Sequence, residues 1–395
     1  MAWSLDHVQD LLRQDGLGGW LLFVLQHRNP VAEQVLDLPP GQIRTRRAFY
    51  WIPAVGTPVR LEHRIESRTL AGLPGLQRQY LSYDSLKEEL ARLLEGARRV
   101  AMETSPLCAQ PSVSLVDAGT VDLVRSLGVE VVSSADLAQQ LSAALRPEQL
   151  RSHFEAAGLV RATAATAFED VARALREGRP IREQEVQAGI LARFETQGLV
   201  CDHPPIVACG PHSADPHYEP GGVVGNGLIG SEQVLLVDLW ARQRAPGSVY
   251  ADQTWMGFTG PRPPESVAAV WELVRDARRA VRQLVSARLA QGKPVQGWEA
   301  DEAARRIIRE AGHGERFIHR TGHSIDEDVH GRGANLDNLE TREERRLIPG
   351  TVMSVEPGIY LDDFGVRSEY NLVIDLDGAV RVAEGTDQAE LILMA

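Results

Sequence analysis

The 395-residue chain carries 42 basic and 54 acidic side chains, a formal net charge of -12, with 43% hydrophobic and 6% aromatic residues. That length exceeds one ordinary core and indicates two domains. The acidic balance, with no Lys/Arg cluster able to neutralise a phosphate backbone, excludes nucleic acid as a partner.

The opening MAWSLDHVQDLLRQDG mixes both charges within an amphipathic pattern, neither signal peptide nor membrane span, so a soluble cytoplasmic protein is expected. Cys108, Cys201 and Cys209 are odd in number and widely spaced, which reads as reduced thiols rather than a disulfide framework. Up to about residue 146, the β-branched or aromatic runs GGWLLFV, RAFYWI, RVAMET and VEVVSS alternate with the helical patterns SLKEELARLLEGA and ADLAQQLSAAL. This alternation indicates an α/β domain over residues 1–146. Pro147 then opens a long helical stretch, at a position where its missing N–H costs nothing.

Residues 147–395 contain a repeat. LREGRPIREQEVQAGILARFETQG from Leu175 matches LAQGKPVQGWEADEAARRIIREAG from Leu289, with Gly178, Pro180, Glu185 and Gly198 falling on Gly292, Pro294, Glu299 and Gly312. A duplicated helix pair, each followed by strands, predicts two similar halves with helices outside and an antiparallel sheet between them.

In the first half, VLLVDLWA and SVYADQTWMGF read as two strands joined by a Pro-Gly turn. A hairpin centred near Ala245 sets Asp238 opposite Asp252. In the second, TVMSVEPGIY and VRSEYNLVI flank a turn at Asp362 and Asp363, which sets Glu356 opposite Glu369. Facing acids in strands of Val, Leu and Ile are destabilising unless something positive lies between them, and the simplest remedy is metal. The same alternation puts Tyr250 on the face of Asp252 and Arg367 on the face of Glu369. Histidines cluster nearby, His319, His323 and His330 in FIHRTGHSIDEDVHG and His212 and His217 in GPHSADPHYEP. Carboxylates with an imidazole suit Mn²⁺, Co²⁺ or Zn²⁺, and two ions sharing carboxylates lie about 3.5–4 Å apart.

In this order VDLWA, YADQTW, HRTGHSIDEDVH, SVEPGIY and GVRSEY resemble the Asp, Asp, His, Glu, Glu series of the M24 metallopeptidases of the pita-bread fold, the family of methionine aminopeptidase, aminopeptidase P and prolidase. The resemblance runs from about residue 147 to the end. It implies an α+β pita-bread catalytic domain with pseudo-two-fold internal duplication, behind an α/β N-terminal domain similar to that of creatinase. Carried over, Asp238 binds one metal, His323 and Glu356 the other, and Asp252 and Glu369 bridge both. His217, His319 and His330 match histidines beside the substrate, and Tyr360 and Arg367 match positions behind the ligands. Three features depart from the pattern: a longer loop between the aspartates, Tyr370 where aspartate is frequent, and SIDEDVHG in place of a more apolar run.

The site then implies hydrolysis by water activated between two divalent ions, with Glu356 as general base and His330 or His217 donating to the oxyanion or shuttling a proton. The N-terminal domain points to cleavage before proline in a small peptide. Recognition of a dipeptide's free carboxylate calls for arginine, and GQIRTRRAFYWI offers Arg44 and Arg46, which share a face if extended. The expectation is therefore a prolidase. Aminopeptidase P acting on longer chains, metal-free creatinase-type hydrolysis and a non-catalytic peptide-binding protein are the alternatives. A homodimer through the N-terminal domain is implied by the resemblance.

Overall fold

In the computed structural model, which describes residues 3–223 and 225–394, the run GWLLFV forms the strand Gly19–Val24, buried throughout. Alternation sends Leu21 and Phe23 into one apolar cluster and Trp20, Leu22 and Val24 into another. A strand apolar on both faces belongs at a sheet centre, and this one lies between Ala48–Pro53, antiparallel, and Arg99–Met102, parallel. Val59–His63 and Leu76–Tyr80 extend one side and Glu130–Ser133 the other, giving six strands. Leu76–Tyr80, sequence LQRQY, is an edge strand with little buried surface, which is why it lacks an apolar signature. A buried acid just past the strand Arg99–Met102, Glu103, accepts from Trp20 Nε1 and Asn29 Nδ2, each at 2.6 Å, and from Ser134 Oγ at 3.0 Å.

The chain folds as two compact units, Met1–Ser142 and Ala143–Ala395. In the second, the repeat is a pair of helix pairs: Pro147–Arg176 with Glu183–Thr196, and Glu265–Ala290 with Gly297–Glu310. The matched residues are helix punctuation. Gly178, Gly198, Gly292 and Gly312 each follow a helix end with φ between 63° and 85°, the left-handed stop that glycine adopts without strain. Glu185 and Glu299 are the third residues of their helices and accept from the backbone N–H of Arg182 and Gln296 at 2.8 and 2.9 Å.

These helices cover the outer faces of two antiparallel hairpins. Val234–Gln243 and Ala251–Phe258 belong to a five-stranded sheet, and Thr351–Val355 and Tyr370–Ile374 to a four-stranded one. The packing interleaves Val270, Trp271, Val274 and Val281 with Met353, Val355 and Leu372 in one cluster, and Val160, Ala164, Phe168 and Ile190 with Leu235, Val237 and Leu239 in another. The strand faces turned away from the helices carry the acids. Among the described residues no helix is long and apolar enough to cross a membrane.

Candidate metal centre

Turn chemistry sets the first hairpin. Ser248 N–H donates to the Ala245 carbonyl at 3.2 Å, with Pro246 and Gly247 between them and Gly247 at φ 79°, a Pro-Gly arrangement that suits a type II turn. The bend therefore centres on Pro246, and the expected pairing of Asp238 with Asp252 is corrected: Asp238 faces Thr254, and Asp252 faces Trp240. A slip of two keeps both acids on one face, as diagonal neighbours. In the second hairpin the pairings Val355↔Tyr370 and Gly358↔Arg367 share one register on either side of a break. That register brings Glu356 opposite Glu369, as the sequence predicts.

The hairpins meet along their acidic edges. Glu369 N–H donates to the Thr254 carbonyl at 3.2 Å and Thr254 Oγ1 to the Glu369 carboxylate at 2.8 Å, while Asp252 N–H donates to Asn371 Oδ1 at 2.9 Å. His323 Nε2 lies 3.5 Å from Asp252 Oδ2 and 3.4 Å from Glu356 Oε1. Arg367 Nη2 donates to Asp238 Oδ2 at 2.6 Å, and its Nε to Thr254 Oγ1 at 3.1 Å. All five candidate ligands are thus gathered at one buried place.

The electrostatics follow from crowding. Burial pushes Asp238 up to about 7, against the nearby Arg367 and with Asp252 and Glu356 adding to the rise. Burial and the surrounding acids Asp252, Glu356 and Asp238 hold Glu369 well above the carboxylate range. Burial also raises Asp252, although His323 opposes it. Glu356 goes the other way: burial would raise it, but His323, His319 and Arg367 prevail and hold it below its usual value.

Each ring has a defined tautomer, because a carbonyl can only accept. His323 Nδ1 donates to the Ser324 carbonyl at 3.1 Å, which leaves Nε2 to face Asp252 and Glu356; burial would lower this ring, but those two acids prevail and raise it. His319 Nδ1 donates to the Arg320 carbonyl at 2.7 Å and its Nε2 accepts from the Tyr360 hydroxyl at 2.8 Å, which in turn accepts from Arg367 Nη1 at 3.0 Å. Both His319 nitrogens are therefore engaged within the protein, so this ring, expected beside the substrate, buttresses Tyr360 and Arg367 instead. Burial brings His319 down to about 4, and the Tyr360 hydroxyl up to about 12. His330 packs edge-on against His323 at 4.4 Å between centroids, and burial with the neighbouring His323 lowers it to about 4, so it is neutral at pH 7. His217 is exposed, next to Pro216, whose carbonyl accepts from Arg367 Nη1 at 3.2 Å.

Other expected residues fall elsewhere. Tyr250 turns to other partners: its ring lies under the Arg242 guanidinium, 5.4 Å from the centroid, one cross-strand step beyond Asp252. Arg44 and Arg46 do not share a face. Arg44 is buried and paired with Glu33 at 3.1 Å, so it is not available to a ligand. Arg46 is exposed and lines a cavity of about 530 Å³ in the N-terminal unit with Arg28, Arg47 and Tyr83. Sequence reasoning missed Thr254, Ser354 and Asn371. Each stands two residues from an acid, Asp252, Glu356 and Glu369, and so on its face of the strand, a period-2 signal that was there to be read. It also missed Arg278, buried, which donates to Ser368 Oγ at 2.5 Å and lies over the Tyr370 ring, bracing both neighbours of Glu369.

The donor set fits divalent cations. Asp238 Oδ1, Asp252 Oδ1 and Glu369 Oε1 are buried and accept no hydrogen bond among the described residues, an arrangement too costly to persist without a positive partner. Asp252, His323 and Glu369 each offer a ligand atom within 4.8 Å of the others. Hard oxygens with one neutral imidazole are the ligands such ions take.

Comparison with known proteins identifies relatives. The model of metallopeptidase family M24 matches residues 155–375. The "Probable dipeptidase PepE" of Mycobacterium tuberculosis is 28% identical over 340 residues, 84% of this chain and 82% of that one. An "Xaa-Pro dipeptidase" of Pyrococcus furiosus is 30% identical over 208 residues, 51% of this chain and 54% of its own. The crystal structure of dipeptidase PepE from Mycobacterium ulcerans superposes with TM-score 0.60 at 25% identity, over 99% of this chain and 96% of that one.

Proposed function

Because the chain belongs to metallopeptidase family M24, we propose that it is a metal-dependent exopeptidase that hydrolyses Xaa-Pro dipeptides. The observation that carries the chemistry is the set Asp238, Asp252, His323, Glu356 and Glu369, in which Asp238, Asp252 and Glu369 each keep a buried oxygen that accepts no hydrogen bond among the described residues, and Asp252, His323 and Glu369 offer ligand atoms within 4.8 Å of one another. The dipeptide preference is supported by the relatives named dipeptidase.

In this reading Asp238, Asp252, His323, Glu356 and Glu369 would hold divalent ions, with Mn²⁺, Co²⁺ or Zn²⁺ as candidates. When bound, such ions supply Lewis acidity towards water and the scissile carbonyl. The chain's own groups do the rest. Glu356, the one acid of the set held below its usual range, takes the proton of the attacking water. His330, neutral at pH 7, offers an N–H to the oxygen on which negative charge develops. His217, exposed beside the Pro216 carbonyl that Arg367 holds, would pass a proton to the leaving nitrogen. The Arg367, Tyr360 and His319 chain keeps Asp238 oriented. The acidic cluster attracts the substrate's free α-amino group, which restricts cleavage to the first bond.

A substrate panel tests this. The metal-loaded protein is expected to release proline from Ala-Pro and to leave Ala-Pro-Ala and Ala-Ala essentially intact, read by chromatography of the products. Cleavage of Ala-Pro-Ala at a rate similar to Ala-Pro would make the protein an aminopeptidase of the aminopeptidase P type.

A further inference from the structure

The face that carries Asp238 and Asp252 continues past them into residues that the hydrolytic reading leaves unused. Trp240 is the direct cross-strand partner of Asp252, and side chains so placed on an antiparallel pair have Cβ atoms about 4.5–5.5 Å apart on the same face. One step further along the register, Arg242 lies over the Tyr250 ring at 5.4 Å. The face therefore has two unlike ends. At the Asp238 and Thr254 end, Arg367 and Glu369 close over it and are buried. At the other end stand an indole and a phenol.

Trp240 is odd as a core residue. Its same-face neighbours along the strand are Asp238 and Arg242, both charged, and it is only partly buried, at the margin of the small apolar cluster of Leu150, Val249, Tyr250 and Ile325. Its orientation is nevertheless fixed, because Nε1 donates to Asp202 Oδ1 at 2.7 Å. An apolar ring that is held still and left partly open beside buried carboxylates gains free energy only when another apolar group covers it. Asp202 and Arg242 bring opposite charges to the rim, so selection there is by shape and apolarity more than by charge.

We propose that Trp240, steadied by Asp202 and flanked by Tyr250, is the wall that receives the side chain of the substrate's first residue and selects large apolar side chains there. This rests on the Xaa-Pro reading, in which the second residue is constant and the first is the one that varies. Trp240 is then a specificity-determining residue, with no part in the bond cleavage itself.

The test is kcat/KM for Phe-Pro, Gly-Pro, Phe-Ala and Gly-Ala, with the metal-loaded protein and its Trp240→Ala and Trp240→Phe variants, each checked for metal content. The wild-type protein favours Phe over Gly in the first position by about ten-fold or more, the size expected for covering one aromatic side chain. Trp240→Ala collapses that ratio towards one, and Trp240→Phe keeps most of it. An unchanged ratio in Trp240→Ala overturns the proposal, as does a ratio that rises, which would make the indole a barrier instead. If only the alanine dipeptides are cleaved, the proline reading fails while the first-residue ratio still decides the role of Trp240.

Discussion

Glu356→Gln lowers kcat for Ala-Pro by about a thousand-fold, the loss expected when a positioned general base is replaced by an amide that cannot take a proton. Glu356 suits that task because it is the one acid of the cluster held below its usual range: burial pushes it up, but His323, His319 and Arg367 outweigh that. Its Oε1 accepts from Ser354 Oγ at 3.0 Å, a contact the glutamine Oε1 reproduces, so the side chain keeps its place, and the metal content separates a lost base from a lost ligand. The measurement is steady-state kinetics with metal content determined in parallel. A variant that keeps its metal and retains more than about a tenth of wild-type kcat removes Glu356 from the role of base.

The second large effect is on stability. Arg367→Met leaves Asp238 Oδ2, the Tyr360 hydroxyl and Thr254 Oγ1 without the partner that now serves all three. Breaking a buried ion pair from one side costs about 3–5 kcal/mol, and in the metal-stripped protein Arg367 is the cation paired with Asp238. The pH dependence has a definite sign. Asp238 is raised in the folded protein to about 7 from an ordinary 3.8, so between those values the folded state holds a proton that the unfolded state has released. Stability from this group is complete at low pH and is lost as the pH rises through about 7. Arg367 relieves part of that loss. The Tm of stripped Arg367→Met therefore falls further below wild type at pH 8 than at pH 5, in thermal scans of both proteins. An equal deficit at both pH values would show that Arg367 is not what compensates Asp238.

Much of this centre was legible in the chain because it obeys short-range rules. The period-2 alternation of VLLVDLWA and YADQTW puts the acids on one face whatever the detailed register. The 362–363 turn was read at its true centre, so Glu356 met Glu369 as expected. The first hairpin came out two residues adrift because the Pro-Gly pair governs the bend, with Pro246 and Gly247 at its two central positions. The repeat was visible because helix stops and capping boxes depend on residue type at fixed spacing. Long-range placement was not visible. Nothing local says that Arg44 turns inward to Glu33 while Arg46, two residues on, stays exposed, nor that Arg278, far away in sequence, braces Ser368 and Tyr370. His319 could be recognised as part of a histidine cluster, but only three dimensions show both its nitrogens engaged.

The most direct test of a metal-dependent peptidase is Ala-Pro hydrolysis by protein stripped with a chelator, before and after stepwise addition of Mn²⁺, with bound metal measured at each step. Activity should be absent from the stripped protein and return as the Asp238, Asp252, His323, Glu356 and Glu369 site fills, approaching two ions per chain. Full hydrolysis by protein free of metal, or metal bound without any return of activity, would contradict it.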